Sequence, residues 1–217
     1  MKFGRVKAEA ATLLDPAADV WAKAEVQEFP LVPTPLKGNP LVEKISPFIA
    51  QSTDHGTVRS LKAAGLHNGA VLCVRVSWAS EKHEKIADLD QFVDGVAVMF
   101  PLSAGASAFT MGAPGNPVNA WYWKADKADV PFNVVAEGYG TSVRHAGKEV
   151  KLASRAVHQD GQWHVVFQRA LDVGNEYAQF VPGTPTKVAF GVWDGGNRER
   201  AGRKSFSGDF VLAAVDA

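Results

Sequence analysis

Few residues in this chain are spaced for chemistry. The stretch Gly196–Ser205 (GNRERAGRKS) has the outline of a phosphate-binding loop. Its glycines are one residue too far apart, and Arg203 separates Gly202 from Lys204, so the phosphate cradle would be misbuilt. His158 and His164 are six apart with the turn Asp160-Gly161 between them, which reads as two polar residues flanking a hairpin and not as a metal pair. Neither a G-x-S-x-G nucleophile elbow nor an H-E-x-x-H zinc signature occurs. The aromatic set Trp121, Tyr122, Trp123, Trp163 and Trp193 allows two readings. Such rings can stack on sugars, as in a carbohydrate-binding module, or fill a sandwich core, and strand alternation favours the core. Cys73 is a small strand residue; if its face is exposed, an intermolecular disulfide would link two copies under oxidising conditions. Two loop-like stretches remain, 109–125 and 188–205. By residue type alone, Met111 in the first is a gap-filling hydrophobe and Lys204 in the second a surface lysine.

Strands must position these residues. Asn68-Gly69 is a hairpin-turn signal that opens a strand over 70–78. Leu72, Val74, Val76 and Trp78 share its core face, while Cys73, Arg75 and Ser77 share a partly wet one. Further strands are expected over 92–100, 118–124, 133–136, 150–157, 162–169, 187–193 and 205–213, parted by Gly, Pro, Asn and Asp turns. Segments 80–89 and 171–180 read as helices. Residues 21–29 suit a short helix or a strand, and Pro30, Pro33 and Pro35 impose an extended segment after them. The sum is an all-β-dominant fold, an antiparallel β-sandwich with a few short helices, expected as one domain over 1–217.

Composition narrows the function classes. With 23 Lys+Arg against 23 Asp+Glu in 217 residues, the net charge is zero, so nucleic acid is not an expected partner. One cysteine cannot build an intrachain disulfide, a four-thiolate zinc site, an iron–sulfur cluster or a c-type haem attachment. Apolar runs such as Val96–Phe100 fall far short of the roughly 20 residues of a spanning helix, so no membrane partner is expected. The start, Met1–Lys7, is basic but lacks the apolar stretch of a signal peptide, which suits either a cytosolic protein or a mature exported one.

Four segments in fixed order carry a resemblance: Phe92–Pro101 (FVDGVAVMFP), Met111-Gly112, Pro117–Ala125 (PVNAWYWKA) and Val188–Gly195 (VAFGVWDG). Over residues 20–213 the chain resembles the haem b-containing gamma subunits of periplasmic molybdenum enzymes of the dimethyl sulfoxide reductase family. Ethylbenzene dehydrogenase, dimethyl sulfide dehydrogenase, selenate reductase and chlorate reductase belong to that group, and the chlorate reductase type is preferred here.

The resemblance implies a β-sandwich holding one non-covalent haem b between a Met and a Lys. The family's Met-Gly step is Met111 here, and its Lys-Ser step is Lys204. Met99 fits a core role, and Lys187 and Lys124 are weaker alternates. An iron with two strong axial ligands has no open position, so it carries electrons instead of binding substrate. Phe109, Trp121 and Trp193 are available as an apolar wall, with the haem edge-in between the sheets at one end. Of Arg198, Arg200 and Arg203, one could pair a propionate, Arg203 being the choice. The implied role is a non-catalytic, periplasmic subunit relaying electrons between a soluble c-type cytochrome and an iron–sulfur subunit. The molybdenum catalytic subunit would be another chain. A carbohydrate-binding module without haem is the second reading.

Overall fold

Alternation of apolar side chains dominates the chain, and a computed structural model that describes residues 1–82, 92–127 and 129–217 shows what it builds. In chain order the strands are β1 (Lys2–Arg5), β2 (Gln27–Pro30), β3 (Val32–Pro33), β4 (Ser60–His67), β5 (Val71–Ala79), β6 (Gly95–Pro101) and β7 (Val118–Lys124). They continue as β8 (Phe132–Ala136), β9 (Val143–Ala146), β10 (Ala153–Gln159), β11 (Gln162–Ala170), β12 (Thr186–Trp193), β13 (Ser205–Phe206) and β14 (Val211–Val215). Three short α-helices, α1 (Ala10–Leu14), α2 (Pro40–Ile45) and α3 (Pro47–Ala50), precede β4.

The strands join in the order β10-β11-β5-β4-β1-β14-β12-β6-β7-β8-β9, a continuous sheet that folds back on itself. Its two halves face each other as the layers of a sandwich. Trp78 and Trp163 of the first layer meet Trp123 of the second at ring-centroid distances of 6.1 and 4.8 Å, and Phe167 meets Trp121 at 6.3 Å. One departure from a purely antiparallel sandwich stands out. β1 runs parallel to both neighbours, β4 and β14, and so stitches the two layers together where no hairpin could.

Several expected elements differ. Segment 171–180 is not a helix: Gly174 takes a left-handed φ of 98°, and the buried Arg169 guanidinium donates to Asn119 Oδ1 and to the carbonyl of Ala178. The Ala178 N–H donates to the same Asn119 oxygen, Tyr177 N donates to Gly174 O and Phe180 N to Leu171 O, so these bonds do not form an i−4 ladder. The single strand expected over 205–213 is split into β13 and β14, with Gly208 at φ 79° between them. Segment 21–29 divides into a 3₁₀ turn (Asp19–Lys23) and β2. The helix expected over 80–89 falls largely outside the described residues.

The face of β5 that carries Cys73 is covered. Cys73 is fully buried with Leu13, Trp21, Leu66 and Val166, under α1 and the turn after it. Gln168 Nε2 donates to its sulfur at 3.2 Å, and burial pushes the thiol up to about 12. The exposure that a Cys73-linked dimer requires is therefore missing.

Prolines shape the segment before β4. Pro40 and Pro47 occupy first-turn positions, where a missing N–H costs nothing. The Asn39 side chain accepts from Leu41 N and Val42 N at 3.1 and 3.3 Å, and the Ser46 hydroxyl accepts from Ile49 N at 3.4 Å. The helices so capped fold over the outer face of the second layer, where Leu36, Val42 and Ala50 pack with Ile49 and Tyr139. No helix among the described residues is long and apolar enough to cross a membrane.

Candidate functional site

Period-two alternation sends Val96, Val98, Phe100, Trp121 and Trp123 into the space between the layers. The same alternation leaves Ala97, Met99, Ala120 and Tyr122 on the outer face of β6 and β7. Register sets Gly191 opposite Ala97 there, and places Ala189 and Ala120 on either side of Met99. Above this shallow floor the α2–α3 cap encloses a cleft of about 250 Å³, lined by Leu36, Ile45, Ile49, Met111, Tyr122 and Trp193 among others. A hollow of about 30 Å³ continues from it and is walled by Met111, Lys204, Phe109, Phe206 and Met99.

Met111 reaches this place through an unusual backbone. Its φ is 58°, a left-handed conformation that costs a non-glycine residue about 1–2 kcal/mol. Gly112 follows at φ 90°, and a Cβ there would lie 2.6 Å from the Ala136 carbonyl oxygen and 2.9 Å from that of Asn116. Gly112 N donates to Ser107 O at 2.8 Å, and Gly138 N donates to Met111 O at 3.0 Å. The Met-Gly step is thus fixed by contacts on both sides.

Lys204 ends the loop between β12 and β13, which is tied down along its length. Glu199, 1% exposed, accepts from Gly56 N at 2.6 Å, Thr57 N at 3.2 Å and Asp194 N at 3.1 Å. The Trp193 indole N–H donates to Ala201 O at 3.0 Å. The Lys204 side chain, 7% exposed, then crosses the floor beside Gly191, where an added Cβ would meet its Cδ at 3.4 Å. Its Nζ lies 4.0 Å from Met111 Sδ and 5.4 Å from the centre of the Trp193 ring. No carboxylate forms an ion pair with it among the described residues. Burial drives its pKa down to about 8, against the opposing charge of Glu199, so the free amine is within reach near neutral pH.

These donors fit a metal held in line between them. Metal–sulfur and metal–nitrogen bonds of roughly 2.3 and 2.0 Å, placed end to end, span about 4.3 Å. The observed separation of 4.0 Å is close to that span. The small-residue floor and apolar walls suit a flat, apolar group around such a metal.

The structure brings together Met111, Lys204, Phe109 and Trp193. Phe109 is 43% exposed, its ring 5.3 Å from that of Phe206 at the rim of the hollow. Two expected contacts do not form. Trp121 is fully buried between the layers against Phe100 and Phe180, because alternation turns it away from Ala120 and Tyr122. Arg203 points away from the cleft and pairs with Asp54 at 3.0 Å, lining a separate groove with Arg198 and Arg200. The cleft also lies on the outer face of one layer and not between the sheets, since aromatic rings fill that interior. Met99 faces the hollow instead of the core. Lys124 pairs with Asp126 at 3.4 Å, and Lys187 is exposed on β12; neither lines the cleft. Sequence reasoning missed the cap, Tyr139 and Arg144, and named Tyr122 only within the aromatic set. Only the cap had a signal, a capping side chain followed at once by proline in Asn39-Pro40 and Ser46-Pro47.

The family model described as "Ethylbenzene dehydrogenase" matches residues 18–153 and 142–205. The gamma subunit of chlorate reductase from Ideonella dechloratans is 34% identical over 193 residues, covering 88% of this chain and 74% of that protein. A respiratory nitrate reductase heme subunit of Haloferax mediterranei is 31% identical over 195 residues, covering 88% of this chain but 65% of its own length. The gamma subunit of dimethylsulfide dehydrogenase from Rhodovulum sulfidophilum is 31% identical over 147 residues, 65% of this chain and 55% of that one. Among solved structures, a family 9 carbohydrate-binding module from Caldicellulosiruptor kristjanssonii in complex with glucose aligns with a TM-score of 0.53 at 10% identity. That alignment covers all of this chain and 95% of the module, and the likeness is one of fold alone.

Proposed function

This chain belongs to the ethylbenzene dehydrogenase family, and from that premise we propose that it is the haem b-carrying gamma subunit of a molybdenum oxidoreductase, an electron carrier and not itself a catalyst. The observation that carries the reading is the Met111 Sδ to Lys204 Nζ separation of 4.0 Å across an apolar hollow. Met111 and Lys204 would hold the haem iron, and the bound haem would supply a one-electron Fe(III)/Fe(II) couple.

The chain's own residues do the rest. Met111 offers a neutral, soft sulfur that favours the ferrous state and raises the potential. Lys204 offers an amine already freed toward its neutral form by burial. Trp193, Phe109 and Phe206 screen that pair from water, and the α2–α3 cap covers the cleft's open side.

In this reading the partners are an iron–sulfur subunit and the molybdenum catalytic subunit of the same complex. A soluble c-type cytochrome sits at the far end of the relay, and the complex works in the periplasm. A chlorate reductase type is favoured by the 34% identity to that gamma subunit and its 74% coverage. The carbohydrate-binding alternative has support from fold likeness alone. Of the rings it would use, Trp121, Trp123 and Trp163 are buried between the layers, and Tyr122 and Trp193 line the capped cleft.

The test is the absorption spectrum of the haem-loaded chain. A six-coordinate low-spin spectrum is expected, turning high-spin or vanishing in Lys204→Ala. An unchanged low-spin spectrum in that variant would remove Lys204 as a ligand. A colourless protein that binds oligosaccharide would reverse the reading.

A further inference from the structure

One charged side chain lines the cleft among the described residues, and it is at the end opposite Lys204. Arg144 lies on the edge strand β9, and register carries a straight row of outer-face residues to it. Ala189 faces Met99, Met99 faces Ala120, Ala120 faces Val134, and Val134 faces Arg144. Neighbouring strands are about 4.8 Å apart, so the Arg144 backbone sits about 10 Å from Ala120 along that row. Of the residues lining the cleft, Ala120 is buried and Met111 half-buried, whereas Ser142 and Arg144 are exposed, which puts the guanidinium at the solvent side.

The guanidinium is held but not spent. It lies 5.5 Å from the centre of the Tyr122 ring and 6.0 Å from that of Phe132, a cation–π arrangement that orients the fork without neutralising it. No carboxylate pairs with it among the described residues. Tyr122 does not serve as a counter-charge, because burial pushes its phenol up to about 12 and keeps it neutral. The basic residues expected to meet an acidic ligand lie outside the cleft: Arg203 pairs with Asp54, and Arg200, 4.7 Å over the Phe92 ring, lines the other groove. An apolar slot with one unpaired planar cation at its mouth is complementary to a flat apolar body with an acidic edge. Lysine at that place would offer a point charge; arginine offers parallel donors that match a carboxylate.

We infer that Arg144, seconded by the Ser142 hydroxyl, binds the propionate carboxylates of the haem and so selects a porphyrin whose acid groups are free. The inference rests on the haem reading above and concerns the opposite end of the cleft from the ligand pair.

The experiment titrates the cofactor-free full chain with haem b and, separately, with haem b dimethyl ester, in which both propionates are capped. Affinity is read from the low-spin band. The natural chain should prefer the free acid by roughly ten- to hundredfold, as one charge-assisted, two-pronged contact would give. Arg144→Gln should bring the two affinities together by weakening the free acid alone, and Arg144→Lys should keep part of the preference. Because Arg144 is exposed, the Gln variant's unfolding transition without cofactor should match that of the parent. Equal affinities in the natural chain, or a preference that survives in Arg144→Gln, would overturn the inference, and the ester arm needs no variant at all. A natural chain whose bound spectrum lacks six-coordinate low-spin iron with either porphyrin would instead overturn the haem reading and this inference with it.

Discussion

The carbonyl oxygen of Lys204 accepts from both donors of Thr34, the backbone N–H and the hydroxyl, each at 3.1 Å. A residue 170 positions upstream thus fixes the backbone from which the buried amine extends. Thr34 is itself anchored, since His55 Nε2 lies 2.8 Å from its carbonyl oxygen. Thr34→Val keeps the shape and the N–H bond but removes the hydroxyl. It should cost about 1 kcal/mol in urea unfolding of the cofactor-free chain. With haem bound, the low-spin fraction should fall as the Lys204 backbone gains freedom. A variant with parental stability and spectrum would show that the second bond does no positioning.

The amine itself should make the cofactor-free chain less stable than it could be. Below about pH 8, Lys204 is protonated in both the folded and the unfolded chain, and the folded chain bears the full cost of burying that charge. Between about 8 and the ordinary 10.5, the folded chain has released the proton and the unfolded one has not. Unfolding then takes up a proton, so stability rises with pH across that window. Lys204→Met lacks this slope. It should exceed the parent by an amount on the order of 3 kcal/mol at pH 7, with the gap closing toward pH 10.5. Parallel stability–pH curves for the two chains would contradict a charged, buried Lys204.

Trp121 should matter for folding and not for the cofactor. Its ring touches those of Phe100 and Phe180 at 4.9 and 5.7 Å, and Arg169 lies over it at 5.0 Å, all on the inner side of β7. Trp121→Phe leaves a void there and should destabilise the chain by roughly 1–3 kcal/mol. Bound haem should keep its absorption bands. A shifted low-spin spectrum would place the ring near the iron after all.

Legibility from sequence divides along physical lines. The bounds of β7 match the expected 118–124 because a run rich in strand-forming aromatics starts directly after Pro117 and ends at the polar stretch from Lys124. Alternation cannot say which face carries the site when both faces end up covered. Trp121 and Ala120 are adjacent in sequence, and the site belongs to the alanine, because a flat group needs small residues beneath it. The floor formed by Gly191, Ala97 and Ala120 exists only through register across three strands, and no local window contains it. Met111 and Lys204 were singled out through the four-segment resemblance and not through residue type, since a thioether and an amine 93 positions apart carry no local signal. The cap has no counterpart among the expected elements, though Asn39-Pro40 and Ser46-Pro47 are helix starts. In 171–180 the apolar spacing of a helix is present, but Gly174 and the Arg169–Asn119 pair claim the backbone first.

Cys73 should be inert until the chain unfolds. With its thiol pushed up to about 12 and α1 covering it, almost no thiolate exists at pH 8 and no reagent can approach. A coloured disulfide reagent should leave the native chain untouched and titrate one thiol in denaturant. Non-reducing gels of native material should show a monomer. Rapid native labelling would mean that the α1 segment opens readily.

Met111 should be a residue whose conformation works against stability. Its left-handed φ of 58° crowds any Cβ against its own carbonyl, and only glycine escapes that penalty. The contacts that impose it, Gly138 N on Met111 O and the packed Gly112, lie in the backbone and persist when the side chain changes. In the cofactor-free chain, Met111→Gly should therefore exceed Met111→Ala in stability by ~1 kcal/mol, although glycine ordinarily loses to alanine through its looser unfolded state. Neither variant can supply sulfur, so both should lose the six-coordinate low-spin spectrum with haem. Met111→His restores a ligand and should keep haem while lowering its midpoint potential, because imidazole stabilises Fe(III) more than a thioether does. If alanine matched or exceeded glycine, the backbone would relax on truncation, and the left-handed turn would be a consequence of the methionine side chain reaching for the hollow.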